Sequence, residues 1–124
     1  LLMSLCPVIR TKHVPKGGSI PLVGRLVHAV TQQLIVPTDF QSAALKIVNL
    51  NDNSSATPGI TPAGVLFSTL QAWGKDSTGY NFRYDARPAE LIAGDVVYQY
   101  QFTFTPSAGE PSLLIIEVPT LETG

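Results

Sequence analysis

The sequence predicts an all-β protein, an antiparallel β-sandwich of about seven to eight strands, folded as a single domain over residues 1–124. The first observation is that apolar and polar residues alternate with a period of two along most of the chain, while helical periodicity is nearly absent. The second is that ten Gly and ten Pro interrupt the chain at short intervals, which is typical of short strands joined by turns. The third is size: 124 residues, of which 44% are hydrophobic, suffice for one packed core. A closed barrel is the alternative architecture.

The strands follow from the alternation and from the turn residues between them. We predict strands at residues 7–13, 18–30, 33–36, 43–50, 64–71, 79–85, 95–105 and 112–119. The segment Phe40–Leu45 is expected to form at most one helical turn before the following strand begins. The polar, Gly- and Pro-containing residues 51–64 are predicted to form an exposed and mobile loop, in which Asn residues adopt turn conformations.

The most regular strand runs from Val96 to Phe104. One of its faces is predicted to enter the core and carries Val96, Tyr98, Tyr100, Phe102 and Phe104. The other face carries Val97, Gln99, Gln101 and Thr103. Because residues 106–111 are rich in turn formers, the chain is expected to return as residues 112–118 and to form a C-terminal hairpin.

A second hairpin is predicted from residues 64–71 and 79–85. Its second strand is expected to place Tyr80, Phe82 and Tyr84 on one face and Asn81, Arg83 and Asp85 on the other. Asp85 is also expected to form a surface ion pair with Arg87, which would contribute about 0–1 kcal/mol.

Two segments, Gly79–Tyr84 and Leu91–Tyr100, resemble the second half of immunoglobulin-like and fibronectin-type modules. Such modules carry an aromatic strand, a short crossing between sheets and a strand that begins with a tyrosine. The resemblance implies that Tyr98 is this corner tyrosine and that its hydroxyl bonds to the backbone near the crossing at residues 91–95. The general pattern is similar to modules of bacterial surface proteins and of phage tails and baseplates, and it implies a virion or cell-surface location. With one cysteine, the chain lacks the cysteine pair of antibody domains.

Composition excludes several classes of function. The net charge is −1 and only eight residues are Lys or Arg, so a basic nucleic-acid surface is not expected. No apolar run approaches the ~20 residues of a membrane span. The lone Cys6 permits neither an internal disulfide bond nor a Cys-based zinc site. We predict no cofactor.

Catalytic and metal-binding patterns are weak. His13 and His28 are the two histidines, and neither belongs to a local nucleophile motif such as Gly-x-Ser-x-Gly. The Asn51–Asn53 run has one acidic residue and lacks the closing Glu of a calcium loop. Glu90 and Asp95 flank a predicted crossing, but such carboxylate pairs are expected by chance. We therefore predict a non-enzymatic protein with no catalytic and no metal-binding residues.

The last strand carries apolar residues on both of its faces. Leu114, Ile116 and Val118 are expected to complete the core, which leaves Leu113 and Ile115 on the outside of a two-layer sandwich. Leu113 and Ile115 are therefore predicted to contact another copy of the chain or another protein. The predicted function is a structural or interaction module of a larger assembly. The alternative is a carbohydrate-binding module, in which Trp73 and Tyr84 would form an exposed platform for sugar rings.

Overall fold

The structure is a computed structural model that describes residues 3–4, 9–28, 31, 33–71 and 79–122. The strands in this part of the chain are β1 (Met3–Ser4), β2 (Ile9–Arg10), β3 (Val14–Pro15), β4 (Ile20–Gly24), β5 (Val27–His28), β6 (Ser42–Asn49), β7 (Ser55–Ala56), β8 (Leu66–Gln71), β9 (Tyr80–Ala86), β10 (Val97–Thr105) and β11 (Ser112–Leu121). One short helix, α1 (Pro62–Val65), and two 3₁₀ turns, Pro37–Asp39 and Pro88–Glu90, complete the regular structure.

The strands form two principal sheets. The larger sheet has the order β2-β11-β10-β6-β7, with β3 also beside β11, and the smaller sheet has the order β4-β9-β8. Strands β2 and β3 run parallel to β11, whereas the other pairings in both sheets are antiparallel. Strands β1 and β5 pair separately. The predicted all-β sandwich is confirmed.

Both predicted hairpins are confirmed by strand pairing. β10 pairs with β11 along its length, from Val97 opposite Pro119 to Phe104 opposite Ser112. β8 pairs with β9 at Leu66 opposite Phe82, although the register is irregular before the next pairing at Gln71.

The structure corrects several predicted boundaries. The strand predicted at residues 33–36 is reduced to a single bridge between Leu34 and Val27, and within residues 9–13 only β2 is a strand. The strand predicted at residues 18–30 is divided into β4 and β5. The loop predicted at residues 51–64 is largely exposed, but it contains β7, which pairs with β6, and α1. Thr61 stabilises the start of α1 because its Oγ1 accepts a hydrogen bond from the Gly64 N–H at 3.1 Å. The Asn turn is confirmed, since Asn53 has a left-handed φ of 63°.

The core lies between the two sheets and is built around the aromatic face of β10. Tyr98, Tyr100, Phe102 and Phe104 are all buried, as the alternation predicts. Phe82 of the smaller sheet meets Phe102 edge to face, with ring centroids 4.9 Å apart, which is a favourable aromatic geometry. The inward face of β11 completes this layer with the buried residues Leu114, Ile116 and Val118.

Asn81 is fully buried, although it belongs to the polar residues that alternate with Tyr80, Phe82 and Tyr84 along β9. Its side-chain oxygen accepts the Leu26 N–H at 2.7 Å, and its amide donates to the carbonyl oxygens of Leu26 at 2.9 Å and Ile35 at 2.7 Å. The segments around Leu26 and Ile35 are irregular backbone, whose polar groups need partners when buried. Asn81 supplies those partners and fastens both segments to β9.

Tyr98 adopts the corner arrangement that the resemblance implies. Its ring is buried, and its hydroxyl oxygen accepts a hydrogen bond from the Ala93 N–H at 2.9 Å. Thr120 holds the same crossing from the other side, because its hydroxyl donates to the Ala93 carbonyl oxygen at 2.7 Å. The predicted hydrogen bond of the Tyr98 hydroxyl is confirmed.

We predict that Tyr98→Phe lowers the free energy of unfolding by about 1 kcal/mol. The substitution keeps the ring in the core and removes only the acceptor of the Ala93 N–H. Urea unfolding of both proteins measures the difference, with the same dependence of the free energy of unfolding on urea concentration used for both. An unchanged free energy of unfolding would show that this hydrogen bond does not stabilise the crossing.

Candidate functional site

The candidate site is the solvent-facing side of the larger sheet, which we call the outer face. It comprises the outward residues of β6, β10 and β11: Ala44, Lys46, Val48, Gln99, Gln101, Thr103, Leu113, Ile115 and Glu117. Their strand pairing fixes three rows across the sheet: Ala44–Thr103–Leu113, Lys46–Gln101–Ile115 and Val48–Gln99–Glu117. β10 therefore supplies the middle position of every row.

The apolar part of the outer face lies on β11. Leu113 is 45% exposed and Ile115 is half-buried, because the inward positions of the strand are already taken by Leu114 and Ile116. The predicted outward orientation of Leu113 and Ile115 is confirmed. Their contact with a partner remains a prediction.

The polar part of the outer face forms a chain of hydrogen bonds. The Gln101 amide donates to Gln99 Oε1 at 2.6 Å, the Gln99 amide donates to Glu117 Oε2 at 3.2 Å, and Arg10 pairs with Glu117 Oε1 at 2.7 Å. The hydrogen bond from Arg10 lowers the pKa of Glu117 below its ordinary value of 4.5. Most of the polar groups at the centre of this face thus satisfy one another.

A cleft of about 470 Å³ continues the outer face beyond Glu117. Leu50 and Leu121, which are 42% and 39% exposed, line it together with Val97 and Pro119. Arg10, His13 and Asp95 also line the cleft, so its surface is partly apolar and partly charged or polar.

Glu90 is a buried carboxylate that connects the two sheets, and its burial was not evident from the sequence. Its side chain is only 9% exposed. It accepts hydrogen bonds from the hydroxyl of Tyr84 on the smaller sheet at 2.5 Å and from that of Tyr100 on the larger sheet at 3.0 Å. It also accepts the Arg87 N–H at 3.1 Å and contacts the Arg87 guanidinium at 3.3 Å.

This arrangement affects the two tyrosines and corrects the predicted ion pair. Burial, reinforced by the Glu90 carboxylate, raises the pKa of both Tyr84 and Tyr100. The predicted pairing of Asp85 with Arg87 is wrong, because Arg87 pairs with Glu90 and Asp85 pairs with Arg83 at 2.9 Å. The hydrogen bonds to Glu90 come from both sheets, so the carboxylate links the two sheets.

The carbohydrate-binding alternative predicts that Tyr84 is exposed, and this prediction is wrong. Tyr84 is 8% exposed, because its ring points into the core and packs against Phe102, with centroids 5.6 Å apart. A sugar ring needs an open aromatic face for stacking, and Tyr84 does not offer one. Trp73, the other residue of the proposed platform, lies outside the described residues.

The two histidines considered for catalysis and metal binding lie in different parts of the fold. His13 is exposed between β2 and β3 and lines the cleft, whereas His28 lies in β5 and Cys6 lies outside the described residues. Among the residues that the structure describes, no group of three or more His, Cys, Asp or Glu side chains could hold a metal ion. In the same part of the chain, no helix has the length and apolar character needed to cross a membrane.

We predict that Glu90→Gln lowers the free energy of unfolding by about 1.5–3 kcal/mol, the range for hydrogen bonds to charged groups. The amide places an N–H₂ group where the carboxylate received donors, so at least one buried donor loses its acceptor. Chemical denaturation at about pH 7 measures the change.

The matched control is Glu110→Gln, since Glu110 is exposed in the turn between β10 and β11. The free energy of unfolding of this variant should lie within about 0.5 kcal/mol of the wild-type value. Equal effects of the two substitutions would contradict a structural role for Glu90.

The Arg10–Glu117 pair predicts a pH dependence of stability. Because the pKa of Glu117 is lowered in the folded protein, the pair stabilises above its ordinary value of 4.5 and is lost as the pH falls through the folded value. Glu117→Gln should therefore destabilise by up to ~1 kcal/mol at about pH 7 and by less at about pH 3. If the free energies of unfolding of the variant and the wild type differ by the same amount at both pH values, the ion pair contributes nothing to stability.

Comparison with protein-family models, with curated proteins and with solved structures finds no match to this chain.

Proposed function

We propose that the protein is a non-enzymatic structural or interaction module of a larger assembly, of the phage-tail or cell-surface type, and that it contacts protein through its outer face. The observation that carries the proposal is the pair Leu113 and Ile115, which lies outward on β11 with Leu113 45% exposed. Full burial of each side chain would contribute about 1.5–3 kcal/mol. Because Leu113 is 45% exposed and Ile115 is half-buried, a protein partner that covers this strand would gain the part of that free energy that their remaining exposed surface represents.

The surroundings of this pair also support a protein contact. The outward residues of β10 are uncharged, and the charges of the outer face lie to either side of it: Lys46 on β6, Glu117 on β11 and Arg10 on β2, which pairs with Glu117. Protein interfaces are depleted of charge at their centres and polar at their rims. The outer face has this distribution.

The strand order supports an immunoglobulin-like scaffold for this module. If β4, β6, β8, β9, β10 and β11 are taken as strands B to G in chain order, the smaller sheet has the order B-E-D and the larger sheet contains C-F-G. These are the orders of immunoglobulin-type sandwiches. The hydrogen bond between Tyr98 and Ala93 provides a second, independent feature of such modules.

The test replaces Leu113 and Ile115 together with Thr, which keeps strand propensity and removes the apolar surface. We expect the double variant to fold with an unchanged circular dichroism spectrum and to associate at least about tenfold more weakly, since each 1.4 kcal/mol changes a dissociation constant tenfold. Sedimentation equilibrium over a range of concentrations measures the association. Oxidative footprinting of Leu113 and Ile115 shows whether these side chains are covered.

Leu70→Thr is the matched control, because Leu70 is 38% exposed but lies on β8 of the smaller sheet. It should leave association unchanged. A wild-type chain that stays monomeric, with Leu113 and Ile115 protected from oxidation by its own residues, would contradict the proposal.

A further inference from the structure

We propose that the partner of the outer face is a second copy of this chain, packed face to face about a two-fold axis that runs along β10. This inference rests on the proposed function and specifies its partner. It follows from three properties of the outer face: the residues on its central strand, the charges on its flanking strands and the sizes of its apolar side chains.

The central strand must meet itself across a two-fold axis. In a two-fold interface the same patch faces its own copy, so residues on the axis contact their equivalents. A charged residue there would face a like charge, which is unfavourable. The outward residues Gln99, Gln101 and Thr103 are uncharged, and each has both a hydrogen-bond donor and an acceptor. β10 is therefore compatible with its own copy.

The flanking strands carry charges of opposite sign. An axis along β10 places β6 of one copy over β11 of the other. Lys46 on β6 is exposed and makes no ion pair within the described part of the chain, and β11 carries Glu117, whose carboxylate also pairs with Arg10 of its own copy. The two residues differ by one row, a distance of about 7 Å along the strand, which an extended lysine side chain spans. The two-fold axis forms this contact twice.

The apolar side chains also match in size across the same axis. Ala44 shares a row with Leu113, and Lys46 shares a row with Ile115. With β6 over β11, the exposed Leu113 of one copy faces the small Ala44 of the other, and Ile115 faces the aliphatic stem of Lys46. Large residues thus meet small or flexible ones, which favours close packing of the two sheets at ~10 Å.

The test uses two variants, one with a negative charge at the two-fold axis and one with a positive charge there. Gln101→Glu and Gln101→Lys should each weaken self-association at least tenfold, because like charges then face one another. An equimolar mixture of the two variants should form a one-to-one dimer, because the charges across the axis are now opposite. Sedimentation equilibrium measures the masses, and circular dichroism confirms that each variant is folded.

The control pair is Ser68→Glu and Ser68→Lys, since Ser68 is exposed on β8 of the smaller sheet. These variants should associate as the wild type does. Lys46→Glu alone should weaken association, because a carboxylate then faces Glu117 of the other copy.

Four outcomes would overturn the two-fold pairing: a monomeric wild type, a wild-type mass other than that of a dimer, undiminished association of the Gln101 variants, or failure of their mixture to recover. The proposed function fails separately. If association depends on Leu113 and Ile115 but not on Gln101, the outer face is a protein contact with a different geometry. If footprinting shows Leu113 and Ile115 covered within a monomer, both proposals fail.

Discussion

The four aromatic side chains of β10 must lie on one side of the strand, because strand side chains alternate between the two faces of a sheet. Together Tyr98, Tyr100, Phe102 and Phe104 are too large and too apolar to remain in water, so this side faces the smaller sheet and forms the centre of the core. The same constraint directs the intervening residues of β10 outward. The composition of the outer face is thus determined by how the core is filled.

Filling the core with tyrosines also determines how the chain crosses between the sheets. A buried hydroxyl needs a hydrogen-bond partner, and the segment between β9 and β10 supplies it for the three buried tyrosines. The Glu90 carboxylate accepts hydrogen bonds from the hydroxyls of Tyr84 and Tyr100, while the Ala93 N–H donates to the Tyr98 hydroxyl oxygen. The crossing is therefore held at two points by groups that also satisfy the core, which explains why a carboxylate is buried in a protein with so few charges.

Local alternation was sufficient to predict the fold class, both hairpins and the outward orientation of Leu113 and Ile115, since each follows from period-two patterns within one or two strands. It failed where a distant segment determines the environment. Asn81 lies among the polar residues that alternate with Phe82 and Tyr84, but the irregular segments around Leu26 and Ile35 cover it. Glu90 is buried by residues of both sheets, and neither contact leaves a signal in its neighbouring sequence.

An exposed leucine is common on protein surfaces and by itself indicates little. The outer face differs from an ordinary surface because covering it has a low desolvation cost. Its central polar groups are already paired along the chain from Gln101 through Gln99 and Glu117 to Arg10. A partner that covers Leu113 and Ile115 displaces less water from Gln99, Gln101 and Glu117 than from unpaired polar groups, since internal hydrogen bonds already replace part of their hydration. The balance between apolar gain and polar loss therefore favours association on this side of the larger sheet.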